Sequence, residues 1–239
     1  MMGADKVDER APGFYDTYAS YKGYRTPTID AKLIRRFDAE IWLPAACTAE
    51  MSFLEIGCGT GAFLGYLAAR GVTRRVGIDH DPALAEIVPA EVRADFRHGD
   101  ALTLLTGSTD GPFDRVVLLD VLEHFSADDA RTLLEAIRPR LTAAGKIVVK
   151  VPNAASPWGL SYQYGDLTHR TPFPAQSLRQ LANSIGFSAE IRPQRQGSPR
   201  RRFTDAVVNR VLTWALLTPP EVWSANLYAI LTPRPELRR

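Results

Sequence analysis

The chain is 239 residues long, 45% of them apolar, with 29 lysines and arginines against 27 acids. That is enough for one sizeable α/β domain with a full core, and a net charge of +2 gives no reason to expect a nucleic-acid partner. The two cysteines, Cys47 and Cys58, make neither a disulfide framework nor a zinc spacing, and no apolar run is long enough to span a bilayer.

In chain order, Met1 to Arg10 is polar and lacks the apolar core of a signal peptide, so a cytoplasmic protein is expected, with peripheral membrane association left open. From Phe14 to Trp42 the pattern is helical. Tyr15, Tyr18 and Tyr21 recur along one side, and Thr28 is placed to cap a second helix carrying Leu33, Ile34, Phe37 and Ile41. Residues 1–45 therefore read as an N-terminal helical cap or lid whose aromatics mostly pack, and residues 46–239 as the main domain. Strands near 51–56, 74–79, 93–97, 113–119 and 145–151 alternate with helices, which predicts a parallel sheet. One helix runs from Ala62 to Arg70. Another opens at Ser126, where Ser126-x-x-Asp129 is close to a capping box, and buries Leu133, Leu134, Ile137 and Leu141. A stretch rich in Pro, Gly, Ser and aromatics follows Asn153 and runs to Pro174, too long for an idle connection. A helix from Ala175 to Ile185 stops at Gly186. Phe187 to Arg192 and Ala225 to Leu231 read as the last strands, separated by a long insertion, Arg195 to Trp223.

The run Leu54 to Gly61, LEIGCGTG, carries the most chemistry. An apolar strand ends in Glu55 and turns through Gly57, Gly59 and Gly61 into a helix, with Cys58 as a small side chain inside the loop. Glycines serve where backbone turns sharply or a ligand lies against it, and an α/β sheet holds its ligand beyond the carboxyl end of such a strand. Gly57-x-Gly59-x-x-Ala62 also satisfies the dinucleotide fingerprint, with Asp79 about twenty residues on. Glu55 weighs against a dinucleotide, because its carboxylate would face a pyrophosphate. The same charge favours a ligand with an amino group and a sulfonium, and S-adenosylmethionine is one.

Three further strand-end segments follow in order: Val76-Gly77-Ile78-Asp79, then Phe96 to Ala101 with Asp100, then Phe113 to Phe125 with Asp120. Leu141 to Asn153 closes the series. This order of motifs resembles the class I S-adenosylmethionine-dependent methyltransferases from Met51 to Pro193. The resemblance implies an α/β fold: a Rossmann-like, doubly wound, mostly parallel seven-stranded sheet whose last strand inserts antiparallel beside the fifth. It places Asp79, assisted by His80, on the ribose hydroxyls, and Asp100 with the Ala101 amide on adenine. Glu55 then fixes the glycine loop (Gly57, Cys58, Gly59, Gly61) or the methionine amino group, and Asp120 holds the amino-acid part or orients the acceptor. Structural alternatives stay open: Asp79 as a plain strand-end acid, Asp100 as a helix cap, Asp120 as a loop residue. Asp120 and Asn153 end neighbouring strands, but two oxygens are too few for a magnesium site, and no metal is expected.

Methyl transfer needs the acceptor placed in line, and a hydroxyl acceptor also needs a base. His80, His98, His124 and His169 are the available histidines. His169 lies in GDLTHRTPF, which resembles a segment of methyltransferases from bacterial glycan and polysaccharide pathways, there followed by a helix ending in Gly-Phe, here Gly186-Phe187. His169 is thus the first candidate base, unless it and Asp166 merely tie down their loop. His124, in Leu122-Glu123-His124, is the second, though the breadth of that motif suggests a structural or cofactor-side role. His80 and His98 read as surface or strand-end residues. The insertions near 153–175 and 193–224 fall on the acceptor side. Arg192, Arg195, Arg200, Arg201 and Arg202 form a solvated face, or hold an anionic acceptor such as a phosphorylated or nucleotide-linked sugar. Phe203, Val207, Val211, Trp214 and Leu217 share a helical face expected to pack on the domain or line the acceptor pocket, in preference to a membrane or a dimer. The expected activity is O-methylation of a small-molecule or sugar hydroxyl. The rivals are an NAD(P)-dependent oxidoreductase and a non-catalytic cofactor-binding module. A nucleic-acid methyltransferase is disfavoured, because Asp120-Val121-Leu122-Glu123 stands where Asn-Pro-Pro-Tyr would be expected.

Overall fold

Strict alternation along the strands explains the architecture. On Phe113–Leu119 (β4), Val116 and Leu118 enter one apolar cluster while Val117 enters another. On Leu141–Pro152 (β5), Ile147, Val149 and Val151 enter the first and Val148 the second. Side chains on a strand point to opposite faces in turn, so a sheet with two buried faces must be covered on both. The computed structural model describes residues 22–107, 111–195 and 197–234; the expected tyrosine stripe at Tyr15, Tyr18 and Tyr21 lies outside them. The remaining strands are Phe53–Ile56 (β1), Arg75–Asp79 (β2), Phe96–His98 (β3), Phe187–Pro193 (β6) and Asn226–Pro233 (β7). They form one seven-stranded sheet in the order β3-β2-β1-β4-β5-β7-β6. β1 to β5 pair in parallel, and β7 runs antiparallel between β5 and β6.

On one face, Ala127–Ile137 (α4) and Ala175–Ser184 (α6) bury Leu133, Leu134, Ile137, Leu178 and Leu181. Ser126 caps the first of these, its hydroxyl accepting from the Asp129 amide. Gly186, at φ 76°, turns the chain out of the second, where L side chains are strained. On the other face, Ala31–Phe37 (α1), continued by a π turn at Asp38–Trp42, packs with Ala62–Ala69 (α2). Phe37 meets Phe63 and Tyr66 at ring-centroid distances of 5.2 and 5.1 Å, so this stretch is a packing face. Its cap is Asp30, not Thr28: the Asp30 carboxylate accepts from the Leu33 amide at 2.7 Å, and Thr28 sits two residues too early to reach it. β5 also starts earlier than expected. Leu141, expected on the buried side of the helix that opens at Ser126, pairs instead with Phe113 of β4 ahead of a register shift, and Gly145 is required there because a Cβ would sit 2.8 Å from the Leu141 Cβ.

The largest departure concerns Pro199–Ala215 (α7). It has no buried residue; Phe203 is 72% exposed, Trp214 87% and Leu217, just beyond it, 100%. Nothing among the described residues buries this apolar face. The helix is attached instead through its polar side, where the Trp223 indole donates to the Thr213 hydroxyl at 2.9 Å.

Candidate active site

Because β1, β2, β3, β4 and β5 run parallel, their carboxyl ends share one edge, along which Asp100, Asp79, Glu55, Asp120 and Asn153 stand in that order. The glycine loop hangs on β2: the Gly57 and Cys58 amides donate to the Ile78 carbonyl at 2.8 and 3.0 Å. Gly57, Gly59 and Gly61 all have positive φ, at 68°, 51° and 77°. A Cβ on Gly57 would lie 2.4 Å from a Val121 methyl, whereas one on Gly59 would meet nothing within 4 Å. The loop is therefore pressed against β4's end at Gly57 and open at Gly59, the form of a cradle. Cys58 is buried packing, its thiol pushed up in pKa by burial and then by the charges of Glu55 and Asp79.

Asp79, not Glu55, pins this loop. Its two oxygens accept from the Gly59 amide at 2.8 Å and the Asp81 amide at 3.1 Å. Glu55 is 3% exposed, and its Oε2 has no hydrogen-bond partner among the described residues. Burial, reinforced by the charge of Asp79, raises its pKa well above the usual carboxylate range. Asp100 caps Ala101–Gly107 (α3), accepting from the Thr103 amide and hydroxyl. Asp120 takes the left-handed conformation at φ 57° and pairs with Lys150 at 2.5 Å. His80 is exposed, with Nδ1 3.4 Å from Asp79, and its carbonyl accepts from His98.

The second half of the site forms where a 3-10 turn, Leu122–His124, meets the loop after β5. The Glu123 carbonyl accepts from the Arg170 and Thr171 amides at 2.8 and 3.1 Å, which seats His169 beside His124. Their rings cross at 79° with centroids 4.7 Å apart. The hydrogen bonds fix both tautomers. His169 Nδ1 faces the Gln163 carbonyl at 3.0 Å, and a carbonyl only accepts, so Nδ1 carries the proton. The Thr168 hydroxyl gives its one proton to Asp166 at 2.6 Å, so at 3.0 Å from His124 Nδ1 it must accept. Each ring is left with Nε2 as its lone-pair nitrogen.

Asp166 anchors this relay. Burial opposes its ionisation, but hydrogen bonds from Thr168 and Lys22 hold its carboxyl far below the usual range, and Lys22 pairs with it at 3.0 Å. His124 is pushed down to about 4 by burial and by His169, so its ring stays neutral at pH 7 and is a weak base. Glu123 is 0% exposed, with neither carboxylate oxygen hydrogen-bonded among the described residues. Burial, then the charge of Asp120, pushes it up to about 8. The two insertions are joined at the mouth: Asn153 donates to the Val222 and Ser224 carbonyls, and Ser156 to the Trp223 carbonyl.

The structure thus brings His124 and His169 together and leaves His80 and His98 at the surface. Sequence reasoning did not single out the Glu123 carboxylate, Lys150, Lys22 or Thr168 as site groups. The spacing Asp166-x-Thr168-His169 was the available signal for the relay, since an Asp accepts readily from the backbone two residues on. The Thr168 amide does donate to Asp166, at 3.0 Å.

The profile of a family described as a methyltransferase domain matches residues 22–190. No curated protein matches the sequence. Among solved structures, a SAM-dependent methyltransferase from Archaeoglobus fulgidus is similar over 92% of this chain and 98% of its own, at 20% identity and a TM-score of 0.68. A possible histamine N-methyltransferase from Thermotoga maritima is similar over 92% and 98%, at 18% identity and a TM-score of 0.61. The magnesium protoporphyrin IX methyltransferase of Synechocystis, solved with bound SAM, is similar over 97% and 86%, at 12% identity and a TM-score of 0.54. At these identities the likeness is one of fold.

Proposed function

Because the chain belongs to the methyltransferase-domain family, we propose that it methylates a hydroxyl group of a small molecule or glycan, using S-adenosylmethionine as donor. When bound, that cofactor supplies a methyl group already activated on a positive sulfur. The residues fit it. The orphaned oxygen of Glu55 is an unmet demand for a cation, which an ammonium or sulfonium satisfies and a diphosphate aggravates. The open face of Gly59 leaves room for a ligand against backbone. Asp79, already oriented by two amides, offers its remaining lone pairs to ribose hydroxyls. Asp100 and the Ala101 amide serve the adenine, His80 flanks Asp79, and Asp120 the amino-acid end.

The observation that carries the hydroxyl assignment is the tautomer of His169. With Nδ1 committed to Gln163, its Nε2 faces the cluster as a proton acceptor, and the acceptor O–H would be lost to it as the new O–C bond forms. The resemblance of GDLTHRTPF to glycan-pathway enzymes supports a sugar acceptor. Lys22, from the N-terminal side, reaches the site and pairs with Asp166. Isothermal titration of the full chain tests the donor: S-adenosylmethionine is expected to bind and NAD not to, and the opposite result overturns the reading.

The exposed α7 gives this enzyme a place to work. Phe203, Val207, Val211 and Trp214 face outward, with Arg200, Arg201, Arg202 and Arg210 on the same helix. Apolar side chains with flanking arginines complement an anionic bilayer surface, and no helix among the described residues is long and apolar enough to cross one. Co-sedimentation with anionic vesicles is expected, and with neutral vesicles not. Trp214→Asp, at an exposed position, is expected to abolish it without lowering Tm. Concentration-dependent dimers broken by the same change would point to a second copy instead and refute the membrane role.

A further inference from the structure

We infer that Glu123, His124 and His169 form a binding site for a divalent first-row transition-metal cation, and that the acceptor is a chelating one, such as a vicinal diol. One ligand atom from each of these residues lies within 4.8 Å of the other two. The tautomers derived above leave Nε2 on each imidazole as the donor atom. The outer nitrogens are held by the Gln163 carbonyl and by the Thr168–Asp166 relay, the support that metal-binding histidines need. The independent observation is Glu123: fully buried, with neither oxygen hydrogen-bonded among the described residues, and 3.9 Å from His169 Nε2. Ionising an acid in such a place costs several kcal/mol, so it keeps its proton unless something positive takes the proton's place. Ligands at about 2.1 Å around a tetrahedral ion stand about 3.4 Å apart, so the Glu123–His169 pair, at 3.9 Å, must close by about half an ångström and the widest pair, within 4.8 Å, by up to about 1.4 Å.

Two imidazoles and one carboxylate select zinc, manganese, iron, cobalt or nickel over magnesium or calcium, which prefer all-oxygen sets. Three protein ligands leave positions open. Two adjacent acceptor oxygens would occupy them, and the ion would lower the pKa of the one to be methylated. This rests on the hydroxyl-methylation reading and refines it: without the ion His169 takes the proton, and with it His169 is a ligand and the proton passes to water.

The test is calorimetric titration of the chelator-treated full chain with Zn²⁺, Mn²⁺ and Co²⁺, together with the visible spectrum of the Co²⁺ form. One ion per chain is expected, with an imidazole-type Co²⁺ spectrum. Glu123→Gln and His169→Ala are each expected to weaken binding at least tenfold while S-adenosylmethionine affinity holds. His98→Ala, at a surface position, should change nothing. Should a variant fail to fold, the wild-type stoichiometry and spectrum decide. Wild-type binding weaker than about 1 mM, or binding indifferent to both substitutions, overturns the inference. S-adenosylmethionine binding persisting in that case leaves the methyltransferase reading standing, and its loss would refute that reading separately.

Discussion

His169→Ala is expected to lower turnover by about 10² to 10⁴-fold while leaving the affinity for S-adenosylmethionine unchanged. The separation follows from the layout of the site. His169 belongs to the loop after β5 and bonds to Gln163, on that same loop. The glycine loop hangs on β2 and is pinned by Asp79. No hydrogen bond described above links the two halves, so removing the imidazole should not disturb the donor. Single-turnover rates with a competent acceptor, paired with calorimetric titration of the donor, check both parts. Unchanged turnover removes His169 from the chemistry, whether as base or as ligand. Thr168→Ala should act in the same direction but less strongly, since it frees the tautomer of His124 without deleting a lone pair that faces the acceptor.

The second large effect belongs to Gly57. Gly57→Ala must hold an L residue at φ 68° and place a methyl 2.4 Å from Val121. The first costs about 1–2 kcal/mol and the second typically another 1–3 kcal/mol if Val121 cannot move. For a chain of this size the sum corresponds to a fall in Tm of roughly 4–20 °C, with loss of donor binding as the loop lifts off the sheet. Gly59→Ala is the informative contrast. It carries the backbone strain at φ 51° but no clash, so its Tm should fall less, while the added methyl enters the space assigned to the cofactor. Thermal melts with and without S-adenosylmethionine separate the two. Adding Val121→Ala should recover part of the Gly57→Ala loss and none of the Gly59→Ala loss.

Much of this molecule is legible from its residues because the signals are local. Alternation on 113–119 and 145–151, the glycine punctuation at 57, 59 and 61, and the stop at Gly186 each depend on a few neighbours, and the structure follows them. The strand-end acids were legible as positions; Asp79 accepts from the loop at Gly59, which leaves Glu55 the other of its two expected tasks, toward the methionine amino group. What escaped depends on residues far apart in the chain. His124 and Thr168 are separated by 44 positions, and neither reveals alone that their hydrogen bond sets a tautomer. Glu123 sits in a motif noticed for its histidine, and its significance comes from burial without a partner. α7 misled because a stripe of apolar residues at helical spacing ordinarily faces a core, and periodicity records that a face exists without saying what it meets.

The bonds from Asn153 and Ser156 to the carbonyls of Val222, Trp223 and Ser224 bear on how such a scaffold changes what it acts on. They stitch the two excursions of the chain into a single part, although nearly seventy positions separate their sequences. A transplant of either excursion alone into a relative would leave two side chains aimed at mismatched backbone. Acceptor preference in this architecture should therefore be exchanged, by recombination or in the laboratory, as a pair of segments carrying the asparagine and the serine with them.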